Sequence, residues 1–235
     1  MADLLGAMAM EQEYRELQTD WEAKTAFGYH DKLKVFGFND TIEYEAAKDI
    51  YYLTSTNWTV LEIGASQFIS ALQSAVSLEQ ETVFIVIPEN LMAWIGSDGY
   101  NADYCTANDI PVREVGYGGG TIVTGPEDVA VGLLARRATA GEALAQRFYE
   151  KILEFFPTAE FVDNDILIDG YKVFGIGRKQ LGNLYLHTYQ MTIQSYPEAV
   201  ANICTKASDK PVKGMAELGK INRNQLIRGI KACLQ

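Results

Sequence analysis

The stretch Asn164-Asp-Ile-Leu-Ile-Asp-Gly-Tyr-Lys-Val-Phe-Gly175 decides how the rest of the chain is read. Two apolar runs, Ile166–Ile168 and Tyr171–Phe174, flank Asp169-Gly170, a pair that accepts the positive φ angles a type I′ turn demands. The spacing predicts a tight hairpin with Ile168 opposite Tyr171, Leu167 opposite Lys172, Ile166 opposite Val173 and Asp165 opposite Phe174. Side chains alternate along a strand, so Asp165 and Lys172 fall on one face, diagonal to each other and within reach. Lys172 therefore stands on a rigid strand. Gly175 and Gly177 follow it, where missing side chains leave room for a ligand against the backbone. A lysine so placed is either an ordinary strand residue or a cation for phosphate or carboxylate, and a base when desolvated.

Upstream, Gly116-Tyr-Gly-Gly-Gly-Thr-Ile-Val-Thr-Gly-Pro126 sets three consecutive glycines, Gly118, Gly119 and Gly120, before Thr121. Such a run costs backbone entropy. It reads either as a glycine-rich hairpin or as a place where main chain comes close to a ligand or a neighbouring strand.

Between and around these stretches, strands and helices alternate irregularly. Thr82–Ile87 reads as a buried strand stopped by Pro88, and Leu91–Ile95 as another stopped by Gly96, with a polar segment from there to Pro111. Leu61, Ala65, Phe68, Ile69, Leu72 and Val76 predict a helix behind the caps Ser55 and Thr56. Leu144, Phe148, Ile152 and Phe155 predict a second one ended by Pro157. Leu184–Ile193 adds a strand, and Asn222 to Gln225 open a final helix carrying Leu226, Ile227, Ile230 and Leu234. Before residue 56, Glu11–Ala26 reads as a helix, and Lys34–Phe38 and Thr41–Glu45 as short strands. The pattern is α+β, with mixed, largely antiparallel sheets flanked by helices. It divides into an N-terminal extension over 1–55, packed on a main domain over 56–235.

The 235 residues carry a net charge of -11, which leaves no broad cationic face for a nucleic acid. Lys206, Lys210, Lys213, Lys220, Arg223, Arg228 and Lys231 form a basic stretch near the end. It is either a solvated face or one that greets an acidic partner or anionic ligand. Three cysteines, Cys105, Cys204 and Cys233, make no disulfide framework, and His30 and His187 are the only histidines, so a zinc site is not expected. His187, in a strand beside two tyrosines, reads as structural. No apolar run is long enough for a membrane span, and the expected compartment is the cytoplasm.

In order and separation, the triple glycine, the Asn164-Asp165 pair and the Gly170-x-Lys172-x-x-Gly175 hairpin resemble the biotin/lipoate protein ligase superfamily, in particular its lipoate-protein ligase branch. The resemblance covers about residues 57 to 235. It implies an enzyme that activates a lipoyl or related acyl acid with ATP and passes the acyl group to a lysine of a lipoyl-type acceptor protein. In that reading Lys172 is the catalytic lysine, and Gly118, Gly119, Gly120, Thr121, Gly175 and Gly177 bind the acyl substrate. Asn164 and Asp165 hold nucleotide, with Asp165 also a magnesium ligand. Two positions depart from the branch. Glu114-Val-Gly-Tyr117 replaces its Arg-Arg-Ser, and Phe174 replaces a small serine and so narrows the pocket.

Thr121-Ile-Val-Thr-Gly-Pro126 is also similar to a loop of the octanoyltransferases, whose cysteine nucleophile lies a little over thirty residues beyond the lysine. Cys204 lies 32 positions after Lys172. That resemblance implies a thioester on Cys204, activated by Lys172, without ATP or magnesium. A third reading, a non-catalytic binding or scaffolding relative, also needs no cofactor.

Overall fold

The computed structural model describes residues 41–115, 120–163, 165–206, 208, 210–219 and 221–234, with side chains from Lys48 onward. The expected helix at Glu11–Ala26 and strand at Lys34–Phe38 lie outside these residues. In chain order the elements are α1 (Thr41–Ser55), β1 (Thr59–Gly64), α2 (Phe68–Ser77), β2 (Thr82–Ile87), β3 (Met92–Ile95), α3 (Ala102–Ala107), β4 (Val112–Glu114), β5 (Ile122–Thr124), β6 (Val129–Ala135), α4 (Ala140–Leu153), β7 (Ala159–Val162), β8 (Asp165–Ile168), β9 (Tyr171–Leu181), β10 (Leu184–Met191), α5 (Pro197–Ile203), α6 (Met215–Leu218) and α7 (Arg223–Ala232).

The strands make a seven-stranded sheet ordered β1-β2-β6-β10-β9-β8-β7 and a three-stranded sheet ordered β4-β3-β5. Among the described strands only β1–β2 and β3–β4 pair in parallel, so the architecture is the mixed α+β one expected. One face of the large sheet is closed by α4, α7 and the end of α1, where Leu144, Phe148, Ile227 and Leu53 join Val131, Phe174 and Tyr189 in a single core. On the other face α2 lays Phe68 and Leu72 against Phe84, Trp94 and Leu186. Ala93 and Ile95 of the small sheet pack with Cys105 of α3 and Ile203 of α5. Among the described residues no helix is long and apolar enough to cross a membrane.

Local spacing misleads at four places. Thr41–Glu45 is helical rather than extended, because the run continues into Ala46-Ala47-Lys48, good helix formers. Downstream in that helix, Arg137 pairs with Asp49 at 2.8 Å. Leu61 belongs to strand β1, not to the helix expected behind Ser55 and Thr56, which begins only at Phe68. The β-branched Thr59, Val60 and Ile63 favour the strand, and their exposure alternates until Gly64. Phe155 lies beyond the end of α4 and is 43% exposed, leaving the adjacent Phe156 to fill the core. The polar segment after Gly96 also contains α3, capped by the Asn101 side chain.

The hairpin itself forms as the Asp169-Gly170 pair dictates, with φ of 51° and 79° at its two turn residues. Its register slips by one residue beyond Leu167–Lys172, so that Ile166 faces Phe174 and Asp165 faces Gly175, in place of the expected Val173 and Phe174. Val173 is the extra residue of a β-bulge. Asp165 therefore stands opposite a residue without a side chain.

Asp128 ties the turn before β6 to the end of β10. Its carboxylate accepts from the amides of Gly125 (3.0 Å), Ile193 (2.8 Å) and Gln194 (3.2 Å). Burial pushes its pKa up to about 6, with the three amide bonds pulling the other way. Between pH 4 and 6 the folded protein keeps a proton that the unfolded chain has released, so this group makes stability fall as pH rises through that window. Relative to Asp128→Asn, the wild type is expected to lose on the order of 3 kcal/mol between pH 4 and 7, read from urea unfolding at the two pH values. A constant difference between the two proteins would refute this.

Candidate functional site

A cavity of about 510 Å³ opens between the large sheet, α2, the small sheet and the segment that follows α5. Its floor is set by register. Gly132 of β6 pairs with Thr188 of β10, which pairs with Gly177 of β9; in the next row but one, Ala130 pairs with Gln190, and Gln190 with Gly175. Two rows of mostly small residues thus cross three adjacent strands and leave a flat shelf. Phe68, Val86 and Trp94 wall one end with apolar surface, with Ile122 and Val123 of β5 alongside. Trp94 holds its orientation by donating from its indole Nε1 to Thr124 Oγ1 at 3.0 Å in the core.

Lys172 lies at the polar end. Its Nζ is 2.8 Å from Asp165 Oδ1, and Lys210 Nζ is 3.0 Å from the other oxygen, so one carboxylate sits between two ammonium groups. The bulge explains the fit. A Cβ on Gly175 would lie 3.1 Å from Lys172 Cε and 3.3 Å from Nζ, so the ammonium occupies the space a side chain would have taken. The described residues of the segment after α5, 204–206, 208 and 210–213, form a strap beside Lys172, bonded to its main chain at Pro211 and Lys213. The Lys172 amide donates to the Pro211 carbonyl at 2.8 Å, and its carbonyl accepts from the Lys213 amide at 3.3 Å. The strap also brings Cys204, Lys206 and Ser208 to the cavity.

Of the residues singled out from sequence, Lys172, Cys204, Gly120, Thr121, Gly175 and Gly177 all line this cavity. Asp165 reaches it through its ion pair with Lys172. Gly118, Gly119 and Asn164 lie outside the described residues. Gly120 fits tightly, since a Cβ there would lie 2.7 Å from Asp98 Oδ2. Thr121 hangs its hydroxyl on the carbonyls of Asp98 and Gly99 at 3.2 and 3.4 Å. Phe174 borders the cavity, but its ring does not project into it to narrow it as expected. Its ring is buried on the α4 side, 6.1 Å from the Phe148 ring and 5.8 Å from that of Tyr189. His187 is a core residue, packed so closely on α4 that a Cβ on Gly141 would lie 1.9 Å from its Nδ1. Burial lowers its pKa.

Cys204 is near Lys172 in the cavity lining but is held as a neutral thiol. Its Sγ donates to the Thr121 carbonyl at 3.4 Å. Burial raises its pKa, and the neighbouring Cys105 and Asp98 add to the effect. A thiolate nucleophile requires the opposite arrangement, a cation beside the sulfur. Alkylation of Cys204 by iodoacetamide is therefore expected to be slower at pH 7 than that of an ordinary exposed cysteine, and to go on rising with pH after such a cysteine has levelled off; fast labelling at neutral pH would show that the thiol is activated.

What sequence reading missed is the strap. Lys206 and Lys210 were legible only as part of a basic run of uncertain purpose, yet the fold carries one to the cavity wall and the other to Asp165. Gln190 gave no signal at all within its strand.

The model of the lipoyl protein ligase A/B catalytic domain matches residues 70–228. The chain belongs to this family. Search of curated proteins finds no match. Among solved structures, P. falciparum LipL1 in complex with lipoate aligns with a TM-score of 0.62 at 13% identity, covering 74% of this chain and 61% of that one. A lipoate-protein ligase A bound with ATP aligns at 0.59 and 16% identity, over 76% of this chain and 86% of that one. Ta0514 of T. acidophilum, a putative lipoate protein ligase with bound lipoic acid, gives 0.57 and 15%, with 76% and 86% covered. At these identities the likeness carries the fold of the biotin/lipoate ligases, as the hairpin and triple glycine implied. The chain spans less than two thirds of LipL1.

Proposed function

We propose that the protein is an acyl-protein ligase of the lipoate type, joining a lipoyl or related acyl acid to a lysine of a lipoyl-type acceptor protein at the expense of ATP. The observation that carries this reading is the cavity itself, apolar at the Trp94 end and cationic at the Lys172 end. An amphipathic acid fits with its tail against Phe68 and Trp94 and its carboxylate toward Lys172.

In the first step a carboxylate oxygen attacks the α-phosphorus of ATP and the bond to pyrophosphate breaks, giving an acyl adenylate. In the second, the acceptor's amine attacks the carbonyl carbon, the bond to AMP breaks, and the amine gives up a proton as the amide forms. Both steps build negative charge, on phosphate and on carbonyl oxygen. A fixed cation with low access to water stabilises that charge most. Lys172 supplies it, held by Asp165. Lys206 and Lys210 add positive charge at the same end, where the Arg-Arg of other family members has no counterpart in Glu114-Val115. Gly118 to Gly120 and Thr121, with Gly175 and Gly177, would shape the acyl pocket, and Asn164 with Asp165 would face the nucleotide.

Asp165 does not fit a magnesium ligand in this arrangement, since each of its oxygens faces an ammonium group. Among the described residues no three His, Cys, Asp or Glu side chains gather around a metal position. Magnesium would enter with ATP, and no step is assigned to it.

The test is incubation with ATP, magnesium and lipoate, followed by mass spectrometry for lipoyl-AMP and assay of pyrophosphate; addition of a lipoyl domain should then raise that domain's mass by one lipoyl group. Neither product, with lipoate still bound, would mark a non-catalytic relative. Acyl transfer from an octanoyl carrier protein in the absence of ATP would mark a transferase.

A further inference from the structure

On the shelf between β6, β10 and β9, two side chains with polar heads rise from β10, Thr188 and Gln190. Thr188 has its hydroxyl engaged, donating to the Gly177 carbonyl at 3.3 Å. Gln190 is poorly satisfied. Its amide nitrogen reaches only the Met191 carbonyl, at 3.5 Å, and its carbonyl oxygen is buried with no donor. A buried amide left unpaired is costly, and a structural glutamine would be expected to have found partners.

The carbonyl oxygen needs a donor, which a carboxylate does not bring; the amide nitrogen, whose one bond lies at the limit of hydrogen-bond length, is the group a bound acid completes. The residues on either side of Gln190 in its row, Ala130 and Gly175, carry a methyl group and a hydrogen, so neither offers the Gln190 amide nitrogen an acceptor, and the side chain stands on the cavity lining. Across Gly175, Lys172 Nζ stands 3.3 Å from where a Cβ would be. Directly paired residues place their side chains about 5 Å apart on one face. The Gln190 amide and the Lys172 ammonium therefore border the same gap above Gly175, one a neutral donor and the other a cation.

We propose that Gln190 is a specificity-determining residue that grips the carboxyl group of the bound acid, donating from its amide to one oxygen while Lys172 meets the other. The inference rests on the ligase reading above and deepens it. It places the acid's carboxyl over Gly175, at the boundary between shelf and strap, with the tail running along the Gly132–Thr188–Gly177 row. A donor on each side fixes the plane of the carboxylate and leaves one face open to the α-phosphate. Gln190 makes no bond to the nucleotide in this arrangement, so its loss should fall on the acid alone.

The experiment measures binding of lipoate and, separately, of ATP to the full chain by calorimetry, for the wild type, Gln190→Met and Gln190→Glu. Methionine keeps the length of the side chain and removes both polar atoms; glutamate turns the donor into a like charge. Loss of one hydrogen bond to a charged group predicts lipoate binding weakened about 10- to 100-fold in Gln190→Met. It should weaken further in Gln190→Glu, with ATP binding by Gln190→Met within about twofold of wild type. Thermal unfolding checks that both variants fold. Equal lipoate affinity in wild type and Gln190→Met, or parallel loss of lipoate and ATP, overturns the assignment while leaving the ligase reading in place. A wild-type protein that binds neither lipoate nor octanoate overturns both.

Discussion

Lys172→Ala is expected to lower the rate of acyl-adenylate formation by about 10²- to 10³-fold, the usual cost of removing one fixed group that stabilises developing charge. The fold should survive, because Asp165 keeps its second partner, Lys210, at 3.0 Å and does not become an uncompensated buried charge. Lys172→Arg should restore little. The guanidinium is planar and larger, and the ammonium now fits a space bounded by Gly175 on one side and Asp165 on the other. Single-turnover measurement of lipoyl-AMP, with thermal unfolding alongside, tests both variants. Near-normal adenylate formation by Lys172→Ala would place the chemistry elsewhere in the cavity.

The second large effect concerns stability. Phe174→Ser gives the position the small residue usual in the ligase branch, and on sequence grounds that change should open the pocket. In the structure the ring packs with Phe148 and Tyr189 at the centre of the α4 core and is 1% exposed. Phe174→Ser should therefore destabilise the protein by about 3–5 kcal/mol, through lost burial and the cavity left behind, and a buried hydroxyl adds to the cost. Phe174→Leu, which keeps most of the volume, should cost about half as much or less. Urea unfolding measures both. A Phe174→Ser protein of wild-type stability with higher lipoate affinity would show that the ring belongs to the pocket after all.

The two cases show which parts of this protein are written locally. The Asp169-Gly170 turn is specified by two adjacent residues with a single backbone demand, and it formed as read. The strands Thr82–Ile87 and Leu184–Met191 were legible because continuous apolar runs bounded by breakers leave few alternatives. The slip at Val173 was not legible, because period-2 alternation fixes which face a residue takes only while the ladder is regular, and a bulge costs one residue without changing composition. The same limit explains Phe174, whose face is reversed by that slip relative to the regular pairing. Leu61 and Ala65 happened to fit a helical spacing with Phe68, and pairing with β2 adds to the β-branched residues of Thr59–Gly64 in making that segment extended. The site divides in the same way. Lys172 and the glycines follow from motifs, whereas Lys206, Lys210 and Gln190 reach the cavity through tertiary pairing, which leaves no periodic trace in sequence.

The main chain at Lys172 is flanked on both sides, by Leu167 of β8 as its register partner and by the strap, to which both its amide and its carbonyl are bonded through Pro211 and Lys213. A lysine on a loop would have to recruit its backbone into position each time substrate bound. Here only the side-chain torsions remain to be set, and Asp165 biases even those. Most of the entropic cost of aiming the ammonium is met during folding and not during turnover.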